Sequence, residues 1–338
     1  MPPKLSEDQS ARVAERSRPR RSDFREVTLP DLPKVPGMIS NSDRRYLYWL
    51  ASQCYTGTGA VVEVGTWLGL STIHLGAGLR EAGWDDVLHC YDRFQWSAGH
   101  AAKARLPLRS GDDFQPYFER NVRPIYPGVK VTRGDLADLV WTGGPIEILF
   151  LDAPKHLPAI SDTLAVFGPA LVPGLSLIAL QDYTHFPSYS LAAVLSTLGD
   201  HLDLVHVVER GGTASFAVRK RLDFGHAQPL AWDFRRWSKQ QAIETWDRVL
   251  EPLGEYGRRR LEPGLAMLLY DLGEVEAACD CVRRLSFDEQ MTERWRGFAE
   301  SLLYFKYKPL FAARGIRPSL RGRVHLAQRA AARFLGRG

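Results

Sequence analysis

Apolar residues along this chain fall into short β-branched runs divided by stretches in which they recur at helical spacing. Residues 60–64 (Ala-Val-Val-Glu-Val) read as a buried strand. A helix is expected from Ser71, carrying Ile73, Leu75 and Leu79 until Gly83 stops it. Val87 to Tyr91 predicts a second strand ending at Asp92, and Val129 to Thr132 a third followed by Gly134-Asp135. Ile146 to Leu151 predicts a fourth ending at Asp152, and Leu175 to Leu180 a fifth ending at Gln181-Asp182-Tyr183. Helices are expected near 112–122, through Ile160, Leu164 and Phe167, and near 187–199. An earlier one runs through Tyr46, Leu47, Trp49 and Leu50, with Asn41 or Ser42 as its cap. Two further β-rich runs, Leu202 to Val208 and Thr213 to Val218, are divided by Glu209-Arg210-Gly211-Gly212 and predict an antiparallel hairpin. Five strand–helix units closed by a hairpin predict an α/β fold unlike a plain dinucleotide fold, which ends in parallel strands.

From Leu222 onward the pattern is helical, with helices expected near 230–251, 255–272, 274–285 and 288–306. Leu265, Leu268, Leu269 and Leu272 would form one apolar face, and Trp295, Phe298, Leu302 and Phe305 another. The chain therefore divides into a flexible N-terminal arm (1–37), an α/β domain (38–221), a helical unit (222–310) and a basic tail (311–338).

Composition changes this picture in two ways. The 338 residues carry a net charge of +5, but the basic groups are concentrated at the two ends. Residues 1–25 hold seven basic and four acidic groups, and residues 301–338 hold nine basic groups and none acidic, so the body between them is net −7. An acidic body argues against a nucleic-acid groove at its centre. The basic tail, with Val324, Ala327, Ala331 and Phe334 on one face, is a candidate for weak contact with a membrane surface. Second, Cys54, Cys90, Cys279 and Cys281 form no CxxC pair, which predicts reduced thiols and a cytoplasmic protein. Met1 to Arg25 lacks the apolar core of a secretory leader.

The chemistry is concentrated at the strand ends. Glu63-x-Gly65-x-x-x-Gly69-x-Ser71 describes a strand turning sharply into a helix, with glycines where a ligand approaches the backbone. A carboxylate two residues before the first glycine repels a pyrophosphate and favours an ammonium or hydroxyl. S-adenosylmethionine (SAM), with its amino group, sulfonium and ribose diol, therefore suits this turn better than a dinucleotide does.

Taken in order, this motif, Asp92, Gly134-Asp135, Asp152, Leu171-Val-Pro-Gly174 and Asp182-Tyr183 resemble the class I SAM-dependent methyltransferases over about residues 40–220. Leu151-Asp152-x-x-x-His156 and Gln181-Asp182-Tyr183 resemble the branch with sugar and small-molecule O-methyltransferases. The resemblance implies a Rossmann-like, doubly wound, seven-stranded sheet with an antiparallel last strand. It also implies roles for the strand-end residues. Glu63 would hold the cofactor's amino group, Gly65 and Gly69 would leave room for its methionine part, and Ser71 would bind its carboxylate, with Thr66 in the same turn. Asp92 would accept from the ribose hydroxyls. Arg93 and Phe94 would flank the adenine, Asp135 would accept its amino proton, and Leu136 would pack on the ring.

Methyl transfer to a hydroxyl needs the acceptor's proton taken or masked. Asp152 and Asp182 follow adjacent strands and could share Mg2+ or another divalent cation, with Gln181 as a neutral third ligand. His156 is the alternative, as a base. Trp96, His100, Lys103 and Arg105 could cover the site as a lid. The expected activity is methyl transfer to a hydroxyl of a sugar or other small metabolite. Its rivals are a non-catalytic binding or assembly protein on the same fold and, less favoured, a nucleic-acid methyltransferase. The helical unit suggests a homodimer or a module that positions the acceptor.

Overall fold

The computed structural model describes residues 23–101, 103–222 and 233–286. Seven strands form one sheet: β1 (Ala60–Val64), β2 (Leu88–Asp92), β3 (Lys130–Arg133), β4 (Ile146–Leu151), β5 (Leu177–Leu180), β6 (Leu202–Val207) and β7 (Ala214–Val218). Their order is β3-β2-β1-β4-β5-β7-β6. The first five are mutually parallel, and β7 runs antiparallel to both β5 and β6. The chain moves outward from β1 to β2 and β3, then crosses back to β4, so the switch in winding lies between β1 and β4. Both of these strands are buried at every position, and each carries one buried acid, Glu63 or Glu147, in an otherwise apolar run.

The register aligns the strand ends. Val64 pairs with Tyr91 and Leu151, Leu151 pairs with Leu180, and Asp92 pairs with Arg133. Residues just past each strand therefore share one edge, the edge at which open α/β sheets bind ligands.

Besides the single turn Ala98–Ala101, five helices precede β6 in sequence: α1 (Asn41–Trp49), α2 (Leu70–Glu81), α3 (Gln115–Val122), α4 (Leu157–Phe167) and α5 (Tyr189–Thr197). The cap of α1 is Ser40, one or two residues earlier than the expected Asn41 or Ser42. Asp43 returns the bond to the Ser40 amide and completes a capping box. The same carboxylate accepts from Gly212 N at 3.0 Å, Thr213 N at 3.1 Å and Thr213 Oγ1 at 2.7 Å, tying α1 to the turn between β6 and β7. Strand β5 starts at Leu177 rather than Leu175 because Leu175 and Ser176 donate back to Val172 in the preceding turn. Within the stretch expected as part of a flexible arm, Phe24 and Val35 are buried in the core, Phe24 edge-on to Tyr46.

The chain clusters into two compact units, one built on the sheet and ending its first stretch at Tyr183, the other joining Thr184–Ser196 to the residues from Asp233 on. The second unit contains α5 and then α6 (Lys239–Leu250), α7 (Gly254–Leu261), α8 (Gly264–Asp271) and α9 (Val275–Ser286). The single helix expected over 255–272 is broken at Glu262-Pro263, since proline disrupts a helix interior. Gly264 lets α8 pack against Trp246, where a Cβ would lie 2.7 Å from the indole. Tyr189 bonds Asp271 and so attaches α5 to α8. The helix expected at 288–306, the basic tail and residues 1–22 lie outside the described residues. Among those described, no helix is long and apolar enough to cross a membrane.

Candidate active site

A cavity of about 660 Å³ opens along the C-terminal edge of the parallel strands. That volume suits a small-molecule site. All five parallel strands contribute through the residues that follow or end them: Gly65 after β1, Asp92 and Arg93 at β2, Gly134, Asp135 and Leu136 after β3, Asp152 after β4, and Gln181 and Asp182 after β5. Trp67, Gln95, His100, Lys155 and His156 complete the part of the wall used below. Nine of the candidate residues thus meet at one cavity: Gly65, Asp92, Arg93, Asp135, Leu136, Asp152, His156, Gln181 and Asp182.

Four candidates do not reach it. Glu63 points inward from a fully buried strand and is 0% exposed. Its carboxylate accepts from the Ser71 hydroxyl and from Thr72 Oγ1 at 2.7 Å, with the Cys90 thiol 3.8 Å away. Glu63 and Ser71 together brace the first turn of α2 against β1. Burial pushes the Glu63 carboxyl up to about 7, against the two hydroxyl donors and with a small push from Asp152. Thr66 is buried and acts through its amide. Gly69 is the left-handed cap of α2 at φ +92, and a Cβ there would lie 2.5 Å from Val122, so this glycine makes room for α3 rather than for a ligand. Gly65, at φ +91, is approached closely by the chain itself. A Cβ would sit 2.5 Å from the Ala153 amide, which fixes the turns after β1 and β4 against each other.

Asp92 organises this turn. One oxygen accepts from Thr66 N at 2.9 Å and Trp67 N at 3.0 Å, and the other from Phe94 N at 2.9 Å. An ionised carboxylate has about four acceptor sites, so one remains for a ligand hydroxyl. Phe94 is fully buried against Phe114 and Phe118, away from the cavity, in contrast to its expected place beside an adenine. Arg93 and Asp135 face each other at 3.6 Å, both largely exposed. Of the expected lid, Trp96 is buried, and its ring neighbours Trp67 and His100, which line the cavity. Trp67 and Asp182 both have positive φ, at 43° and 62°, a conformation uncommon for side-chain-bearing residues and concentrated at functional edges.

Lys155 is the site residue that the sequence reading missed. Its ammonium lies 2.9 Å from Asp152 Oδ1, 3.1 Å from Asp182 Oδ2 and 3.3 Å from the Gln181 carbonyl. Asp152 and Asp182 thus converge as expected, but on a lysine. The available signal was the i, i+3 spacing from Asp152, inside the loop already singled out for His156. Burial raises the Asp152 carboxyl above the usual carboxylate range; the Lys155 charge opposes this and the Asp182 charge adds to it. For Lys155 burial pulls downward, but the two carboxylates prevail and the ammonium is held above its ordinary value.

Where a divalent cation was expected, Asp152 and Asp182 hold the Lys155 ammonium. The Gln181 side chain is buried, and its Oε1 accepts from Thr213 Oγ1 at 2.6 Å. Among the described residues no group of three His, Cys, Asp or Glu is placed to hold a metal. His156 caps α4, its Nδ1 accepting from Ala159 N at 3.5 Å. His74 and Tyr183 have structural places, the former bonded to Leu70 O and the latter edge-on to Phe216.

Residues 62–183 match a family model described as methyltransferase domain. The matched span runs from β1 through the strand ends that line the cavity. No curated protein matches the chain. Among solved structures, the O-methyltransferase NovP is 17% identical, covering 55% of this chain and 84% of its own, with a TM-score of 0.45. CalS11, a TDP-rhamnose 3'-O-methyltransferase of calicheamicin biosynthesis, is 14% identical over 64% of this chain and 96% of its own, with a TM-score of 0.39. Cofactor-bound Rv0187 from MTB is 20% identical over 63% and 89%, with a TM-score of 0.36.

Proposed function

We propose that the methyltransferase domain moves the methyl group of SAM to a hydroxyl of a small, polar acceptor such as a sugar. The observation that carries this reading is the meeting of five strand ends at one cavity, with Asp92 and Asp135 on one side of Gly65 in the sheet order and Asp152 and Asp182 on the other. Gly65 lines the cavity at the turn after β1, where a cofactor would lie against the backbone. When bound, SAM supplies an electrophilic methyl on a sulfonium.

Asp92 offers its remaining acceptor site to a ribose hydroxyl and holds the Thr66 and Trp67 amides in place. Arg93, Asp135 and Leu136 form the adenine end. Asp152 accepts the acceptor's hydroxyl hydrogen bond. Its Oδ1 is engaged by Lys155, and the side chain is 24% exposed toward the cavity, so Oδ2 is the atom that remains for the acceptor. Its raised affinity for a proton suits it to receive one from a hydroxyl. His156 stands at the cavity wall as a second acceptor, with Nδ1 committed to the α4 cap. The polar rim of Gln95 and His100 favours an acceptor rich in hydroxyls over an apolar one.

Calorimetry with SAM and S-adenosylhomocysteine tests the cofactor, and transfer of a labelled methyl to a panel of sugars and phenols tests the acceptor. No binding at about millimolar ligand would overturn the reading. Transfer only to amines, or only to nucleic acid, would overturn the choice of acceptor.

A further inference from the structure

We propose that Lys155 is a built-in cation that takes the place of a divalent metal between Asp152 and Asp182, so that the pair is held together without metal and its loss opens a cation site. This rests on the reading of the cavity as the methyl-transfer site. The ammonium has three N–H donors and three oxygen neighbours, from Asp152, Asp182 and the Gln181 carbonyl, at 2.9, 3.1 and 3.3 Å. All three donors are therefore used, and Lys155 acts on the acceptor only through the carboxylates it positions.

Two carboxylates on adjacent strands would otherwise repel each other across the cavity wall, where partial burial makes an unpaired charge costly. A divalent ion is one remedy for such a pair, and a tethered ammonium is another. The tether is short: Lys155 leaves the same loop as Asp152, three residues on, with Pro154 restricting the backbone between them. The left-handed backbone at Asp182 accompanies its approach to the ammonium from the β5 side. Gln181, neutral and committed to Thr213, leaves only two negative charges in the cluster, which one lysine partly balances.

Titration with Mn2+ followed by electron paramagnetic resonance tests this on the full chain. The wild type and Lys155→Arg, which keeps the cation, are expected to show no saturable Mn2+ site. Lys155→Met, which keeps the stem and removes the charge, is expected to bind Mn2+ on the order of tenfold tighter or more, and adding Asp182→Asn is expected to abolish that gain. Saturable Mn2+ binding by the wild type that Asp182→Asn removes would overturn the proposal, as would a folded Lys155→Met variant with no gain. Should Lys155→Met fail to fold, the wild-type titration still decides. SAM calorimetry on the same samples separates the two readings, since loss of SAM binding in the wild type refutes the methyl-transfer site while leaving the Mn2+ result to judge Lys155.

Discussion

Glu63 provides the sharpest test of how the turn after β1 is built. Its carboxyl is enclosed within the sheet unit and pushed up to about 7 from an ordinary value of 4.5, chiefly by burial. Between those values the folded protein keeps the proton and the unfolded chain releases it, so stability falls as pH rises from about 4.5 to 7 and stays low above. A shift of that size corresponds to roughly 3 kcal/mol at full development, at 1.36 kcal/mol per unit. Glu63→Gln removes the titration while retaining an acceptor for one of Ser71 and Thr72; the other hydroxyl can rotate to accept from the new amide. Urea denaturation of both proteins at pH 5 and pH 8, followed by tryptophan fluorescence, isolates the effect, because other titrating groups cancel in the difference. The variant is expected to gain about 2–3 kcal/mol on the wild type between the two pH values. Parallel stability curves over that range would refute the reasoning. They would mean that the Ser71 and Thr72 bonds fully offset the burial of the charge.

Asp92→Asn replaces one of two oxygens that accept three backbone N–H bonds, and is expected to weaken SAM binding by roughly tenfold to a hundredfold; unchanged affinity in calorimetry would remove Asp92 from the cofactor site. Gly69→Ala combines a left-handed backbone with a clash against Val122, and is expected to destabilise by about 1–3 kcal/mol in the same urea assay. Asp43→Ala strands the amides of Gly212 and Thr213 and frees the hydroxyl that holds Gln181. It is expected to cost about 3 kcal/mol, and amide hydrogen exchange should speed at 212–213; protection equal to the wild type would show that the turn holds itself.

The fold was legible because parallel strands buried on both faces leave mostly apolar runs, and those of β1, β2 and β4 end at Gly65, Asp92 and Asp152. Ile146–Leu151 and Ala60–Val64 match their expected spans residue for residue. Boundaries were less legible where a side chain decides them. Ser40 caps α1 because Asp43 can return its bond, and β5 begins late because Leu175 and Ser176 are held by Val172. The convergence of Asp92, Asp135, Asp152 and Asp182 on one edge also followed from sequence, since consecutive parallel strands must end on the same side of a sheet.

What tertiary structure alone decided is which way each of those groups points and what already occupies it. Strand alternation puts Glu63 and Val64 on opposite faces, and only the packing of α2 makes the Glu63 face dry, with Ser71 and Thr72 waiting there. Only the folded loop shows Lys155 reaching two carboxylates from different strands, so a pair that reads as a metal site along the chain is a salt-bridged cluster in space. Sequence determines periodicity and which chemical groups are available. Distance, burial and prior partners arise between segments far apart in the chain, and they decide what those groups can do.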